Sequence, residues 1–158
     1  MPGTIKENDK LILSYPDGFH VMDDTEKSDM RFYNGSSGTC LSDPERHILV
    51  SIGWNPIKGL SALLIRAEDA AKKMETGIRK PMQQYDYRLI GFVSKEIGNE
   101  KAEGFSYEYE TQGIPMYGES YVVRHDGVLY YLNCYLRKEL ANESLEVWNA
   151  ILSSAEWQ

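Results

Sequence analysis

Long hydrophobic runs are missing from this chain. No apolar stretch approaches the roughly 20 residues that carry a helix across a bilayer. The opening Met1-Pro2-Gly3-Thr4-Ile5-Lys6-Glu7-Asn8-Asp9-Lys10 has no apolar core of the kind a secretory signal needs. The expectation is a chain without membrane insertion, placed in the cytoplasm, or outside it if a signal segment was trimmed away. Cysteine is scarce. Cys40 and Cys134 are too few for the disulfide framework of a secreted scaffold. Cys134 lies inside an apolar strand and reads as a small buried hydrophobe, with a Cys40–Cys134 bridge left open. Basic clusters are absent as well. Seventeen Lys and Arg are scattered among twenty-four Asp and Glu, for a net charge of -7 and a pI near 5.0. Phosphate contacts need clustered cations, so nucleic acid is excluded as the expected partner, and an anionic lipid surface fares no better.

Catalytic raw material is also thin. The three histidines are His20, His47 and His125. His20 follows a turn, His47 opens a strand, and His125 adjoins the Asp126-Gly127 turn, where exposure is expected. Cys40 with His47 supplies a thiol and an imidazole, the parts of a hydrolase-type nucleophile, but no third group stands out to orient them. Adding Asp43 gives a metal-ligand trio without paired ligand spacing. Gly35-Ser36-Ser37-Gly38 lacks the following helix that a phosphate cradle requires, because Pro44 and a polar run come next. Asp23, Asp24 and Asp29 lack the alternating ligands of a calcium loop. No catalytic residue, metal or cofactor is read from the chain.

What is present is architecture. At 158 residues the chain is one domain, 1–158, with residues 1–10 expected to be flexible. Such a domain buries roughly two thirds of its unfolded surface and needs no staples. Leu11–Tyr15 reads as a strand closed by Pro16-Asp17-Gly18, and residues 19–22 continue extended. Residues 23–29 read as a loop, 30–33 as a strand, 34–38 as a turn and 40–46 as irregular. Residues 47–54 are rich in β-branched side chains and read as a strong strand. The period then lengthens. Leu60, Leu64, Ala67, Ala71, Met74 and Ile78 form one helical stripe. Glu68, Lys72, Lys73, Glu75 and Arg79 fall opposite, and Pro81 is expected to end the helix.

Strands follow over 85–97, 105–111, 117–125 and 128–137, divided by turns at Gly98-Asn99, Gln112-Gly113 and Asp126-Gly127. Asp-Gly between alternating runs is a strong hairpin signal, because a primed turn needs positive φ. It sets Val123 opposite Tyr130, Tyr121 opposite Leu132 and Glu119 opposite Cys134. On the other face it sets Arg124 opposite Leu129, Val122 opposite Tyr131 and Ser120 opposite Asn133. Gly118 reads as a bulge. Asn142 reads as the N-cap of a closing helix that buries Leu145, Trp148, Leu152 and Ala155. Both faces of 128–136 are largely apolar, so both are covered, or one is kept for a partner. The fold class is α+β: an antiparallel sheet of about six to eight strands flanked by two helices, one on each face.

These residues resemble a family. The segments Leu13-Ser14-Tyr15-Pro16-Asp17-Gly18-Phe19, Gly118-Glu119-Ser120-Tyr121 and Asp126-Gly127-Val128-Leu129-Tyr130-Tyr131-Leu132, with the order of strands and helices, are similar to the PsbP-like superfamily, in its DcrB-type bacterial branch. The resemblance spans Leu11 to Leu152. It implies a non-enzymatic scaffold that binds proteins, a chaperone or adaptor for an apolar partner segment. Some relatives are lipoproteins, but no lipobox cysteine precedes Leu11. Tyrosine, enriched at interfaces, occurs eleven times. The expected partner-binding surface is Val122, Arg124, Leu129, Tyr131, Asn133 and Tyr135, facing another protein or, in a homodimer, a second copy of the chain. The alternatives are a small-molecule pocket between sheet and helix, and the Cys40/His47 hydrolase.

Overall fold

A computed structural model describes residues 2–28, 38–59 and 64–158. The ladder of strands in the last two thirds of the chain follows from three tight reversals. Gly98-Asn99, Gln112-Gly113 and Asp126-Gly127 all sit at positive φ, the geometry of a primed turn whose twist matches its flanking strands. They join β6 (Arg88–Ile97), β7 (Glu100–Thr111), β8 (Ile114–His125) and β9 (Val128–Arg137) into an antiparallel meander. The β8–β9 register pairs Val123 with Tyr130, Val122 with Tyr131 and Ser120 with Asn133, as the Asp-Gly turn dictates.

β9 then pairs on its far side with β5 (Ile48–Pro56). Next come β4 (Gly38–Asp43) and β3 (His20–Val21), giving a seven-stranded sheet in the order β3-β4-β5-β9-β8-β7-β6. A second sheet of three strands sets β2 (Leu11–Tyr15) between β1 (Gly3–Glu7) and β10 (Glu156–Trp157). A short helix, α1 (Asp24–Ser28), follows β3.

The two longer helices lie on opposite faces of the large sheet. α2 (Ala67–Met82) crosses β7 and β8. It buries Ala71 against Val122 and Leu129, and Met82 against Phe105, Tyr107 and Tyr109. α3 (Ala141–Ser153) packs on β9 and β2. Its Trp148, Ile151 and Leu152 join Val50, Ile52, Tyr130, Leu132, Cys134, Leu11 and Leu13 in the main core. The small sheet therefore shares a face with α3. This is the α+β arrangement read from the sequence, with one helix on each face.

Several local expectations are corrected. Residues 1–10 are not a loose tail, because Gly3–Glu7 pairs residue for residue with β2. Residues 24–28 are helical, and 38–43 form a strand. The strand read at 30–33 and the start of the stripe at Leu60 lie outside the described residues. Pro81 does not stop α2. It sits in the last turn, and a short 3-10 segment, Gln83–Tyr85, carries the chain on. Asn142 is inside α3, whose N-cap is Leu140.

Gly118 is not a bulge. It pairs regularly with Tyr107 and Tyr135, and a Cβ there would lie 2.3 Å from the Tyr107 ring. The register shift falls instead in β6, between Leu89 and Gly91. His125 is not at an exposed tip. Its ring stacks on Trp157 at 4.5 Å, with Glu100 3.4 Å from Nδ1.

Candidate partner-binding surface

Three buried carboxylates fix the frame around the candidate surface. Glu75 faces inward from α2, although the helical period put it on the solvent side. It accepts from Arg79 Nε at 2.9 Å and from the Tyr87 hydroxyl at 2.8 Å. This ties the helix to the approach of β6, and burial with the nearby carboxylate pushes the Tyr87 phenol up. Glu119, on the α3 face of β8, accepts from Tyr117 and Tyr121 at 2.7 Å and from Trp148 Nε1 at 3.1 Å. Their spacing of two along β8 places Tyr117, Glu119 and Tyr121 on one side of the strand, so one carboxylate anchors α3. Glu7 accepts from the Thr39 hydroxyl and joins the small sheet to the large one. Burial raises its pKa.

On the α2 face the side chains are aromatic. Phe105, Tyr107 and Tyr109 stack along β7 with ring centroids 5.8 Å apart, Tyr87 lies 5.2 Å from Tyr107, and Phe92 lies 6.0 Å from Phe105. The absent side chain of Gly118 admits the Tyr107 ring. Burial raises the phenol pKa of Tyr107 and Tyr109 and pushes Tyr135 up to about 12.

All six residues expected to form the partner surface lie on this face, brought together by the β8–β9 register. They are not equally accessible. Val122 is fully buried and Leu129 is 6% exposed, both against α2, and Asn133 is 8% exposed. Asn133 is held by Ser120 Oγ at 2.6 Å and itself donates to Ser51 Oγ at 3.2 Å. Arg124, Tyr131 and Tyr135 are half-buried. The Arg124 guanidinium donates to the Ile65 carbonyl at the approach to α2. The sequence led us to expect a helix on this face, but not that it lies over β7 and β8.

The sequence reading also missed a contiguous run of exposed apolar residues. On β6, an edge of the large sheet, Leu89, Ile90, Phe92 and Val93 are 36%, 56%, 48% and 40% exposed. Their run of four apolar residues around a glycine was the available signal. Beside them a cleft of about 280 Å³ lies between α2 and the β6–β7 hairpin. Phe92, Val93, Ser94, Gly104 and Ala71 line it together with the charged Glu68, Lys72, Lys101 and Glu103.

The other sequence candidates are not assembled into sites. Cys40 pairs with Ser51 and so faces α2, while Cys134 pairs with Val50 and faces α3. Both are free thiols, and the two cannot bridge through the sheet. His47 lies in the turn after β4, and Cys40 is three ladder positions inward, about 10 Å along the strand. Burial raises the Cys40 pKa, the opposite of what a nucleophilic thiolate needs. Among the described residues no group of three or more His, Cys, Asp or Glu could hold a metal ion. None of the described helices is long and apolar enough to cross a membrane.

Neither a protein-family model nor a curated relative matches the sequence. Solved structures do match in fold. The solution structure of cyanobacterial PsbP (CyanoP) from Synechocystis sp. PCC 6803 superposes with a TM-score of 0.72 at 15% identity, over 99% of this chain and 92% of that one. LpqN of Mycobacterium tuberculosis, a protein involved in cell envelope biogenesis, gives 0.69 at 12% identity, over 99% and 90%. The fold is PsbP-like. A Pseudomonas aeruginosa structure matches at 0.52 and 11% identity, over 96% and 94%.

Proposed function

We propose that this chain is a non-catalytic accessory module that holds an apolar segment of another protein, as a chaperone or adaptor, in the manner of a DcrB-type PsbP-like protein. The observation that carries this reading is the aromatic sheet face beside α2. There Tyr131 and Tyr135 are partly buried, each keeping some exposed surface, on a strand whose neighbours Val122, Leu129 and Asn133 are locked in place. Rigid tyrosines on a fixed backbone give contact area at low entropic cost. Arg124, at the end of the same face, adds a charged donor. Val122, Leu129 and Asn133 then support the surface from beneath.

A photo-crosslinking residue placed at position 131 or 135 tests this in extracts of the native host. Crosslinks to the same protein from both positions, and none from the exposed Lys6 of β1, are expected. Tyr131→Ala combined with Tyr135→Ala is expected to abolish capture while the fold persists. Equal labelling from Lys6, or no adduct from either tyrosine position, counts against the assignment.

A second reading, a small-molecule site between sheet and helix, draws on the cleft against α2. Its volume of about 280 Å³ falls below the range of about 300–1,000 Å³ that encloses most ligands. A thermal-shift screen against a metabolite panel distinguishes the two, because a bound ligand raises Tm by mass action.

A further inference from the structure

The β6 edge carries an inference independent of the tyrosine face. Three observations meet there. First, β6 ends the seven-stranded sheet, so among the described residues nothing pairs with its outer backbone edge. Unpaired N–H and C=O groups of this kind are a template for another strand. Second, Leu89, Ile90, Phe92 and Val93 spread exposed apolar surface along it. Third, Gly91 sits among them at the register shift of β6 against β7, in open space. Its φ is not positive, and a Cβ added there would meet nothing within 4 Å. Glycine in a strand interior costs stability and marks a bulge, as here, or leaves room for another backbone to approach closely.

The cleft beside the strand narrows the chemistry of the occupant. Phe92, Val93 and Ser94 of β6 form one wall and Ala71 of α2 belongs to the other. Its charges balance, with Lys72 3.4 Å from Glu68 and Lys101 3.2 Å from Glu103. The cleft therefore has no net charge to select a charged group. The volume suits one large uncharged side chain. A second copy of this chain is disfavoured on size. The strand is ten residues long, or about 33 Å, and presents four exposed apolar side chains, whereas a stable dimer engages about 20–30 residues a side. Strand addition needs less area, because main-chain hydrogen bonds supply affinity and side-chain pockets supply selection.

We propose that β6 accepts an extended, uncharged segment of a partner protein as an added strand, with one large side chain of that segment seated in the cleft against α2. The probe is a fluorescent synthetic peptide in which Val alternates with Thr around a central Tyr, titrated by anisotropy into the full chain. Its twin is N-methylated at alternate backbone positions. The unmethylated peptide is expected to bind, and methylation on the pairing edge to weaken it by about tenfold or more. Ile90→Lys and Val93→Lys, both at exposed positions, are each expected to reduce binding with Tm unchanged, while Tyr131→Ala leaves it intact. Absence of binding, equal binding of the methylated peptide, or indifference to both lysine variants overturns the proposal. So does sedimentation showing a dimer that Ile90→Lys converts to monomer.

Discussion

Replacing Gly118 with alanine tests the packing of the aromatic face most directly. The Cβ would meet the Tyr107 ring at 2.3 Å (Cζ) and 2.5 Å (Cε2), against the 3.4–4 Å of ordinary contact. The ring would have to retreat by about 1 Å in an interior packed to crystal density. It has little freedom to do so. Tyr107 is fully buried, with Phe105 and Tyr109 on its own strand and Tyr87 against it. Overpacking of this kind costs about 1–3 kcal/mol. In a domain of this length each kcal/mol lowers Tm by about 2–4 °C. Gly118→Ala is therefore expected to lose about 2 kcal/mol and about 4–8 °C in a calorimetric scan. Gly91→Ala is the control. The space around it is open, so the substitution is expected to be neutral or to gain up to about 1 kcal/mol by restricting the unfolded chain. If Gly118→Ala matches Gly91→Ala in Tm, the close approach of Tyr107 is wrong and Gly118 has some other role.

Three further outcomes are expected. Glu119→Leu strips the shared acceptor from Tyr117, Tyr121 and Trp148. It should cost about 3 kcal/mol or more in urea denaturation, since each buried donor left unpaired costs about 1–3 kcal/mol; a loss below that of one surface hydrogen bond would refute the anchoring role. Glu7 has a folded pKa raised above 4.5 by burial, so its protonated form favours the fold. Its contribution is present below that value and lost as pH rises through the folded pKa. Glu7→Gln should therefore look more stabilising, relative to the parent, at pH 7 than at pH 4, and an equal difference at both would contradict the burial argument. Tyr135, pushed up to about 12 by burial, holds stability that is intact below the ordinary phenol pKa of about 10 and is lost as pH climbs toward 12. Ultraviolet difference titration should show late phenolate formation coinciding with unfolding, with less alkaline loss in Tyr135→Phe.

The turn chemistry made the last third legible. Asp126-Gly127, Gln112-Gly113 and Gly98-Asn99 each tolerate positive φ, so pairing and faces followed from local geometry. β1 and β4 were not legible, because Gly3–Glu7 carries a single apolar side chain, Ile5, and because Gly38 and Pro44 bracket residues 40–43 like a loop. What makes these segments strands is pairing with the next strand in the chain, β1 with β2 and β4 with β5. Glu75 was misread because periodicity reports a polar side chain as solvated, whereas Arg79 and Tyr87 make it a buried acceptor. The six surface candidates share one face through the β8–β9 register. Their accessibility depends on where α2 comes to rest, and that is decided by Ala71, Met74, Ile78 and Met82 meeting residues more than twenty positions away in β7, β8 and β9.

The pairing of β5 with β9 has a kinetic consequence. Ser51 and Asn133 are joined across a separation of 82 residues, so the centre of the sheet closes only after a long loop of chain has been gathered in. Late closure of this sort slows folding. While the chain is being synthesised, the β4–β5 ribbon must wait with a bare flank until the meander emerges, and in that interval the nascent protein is itself a candidate for escort.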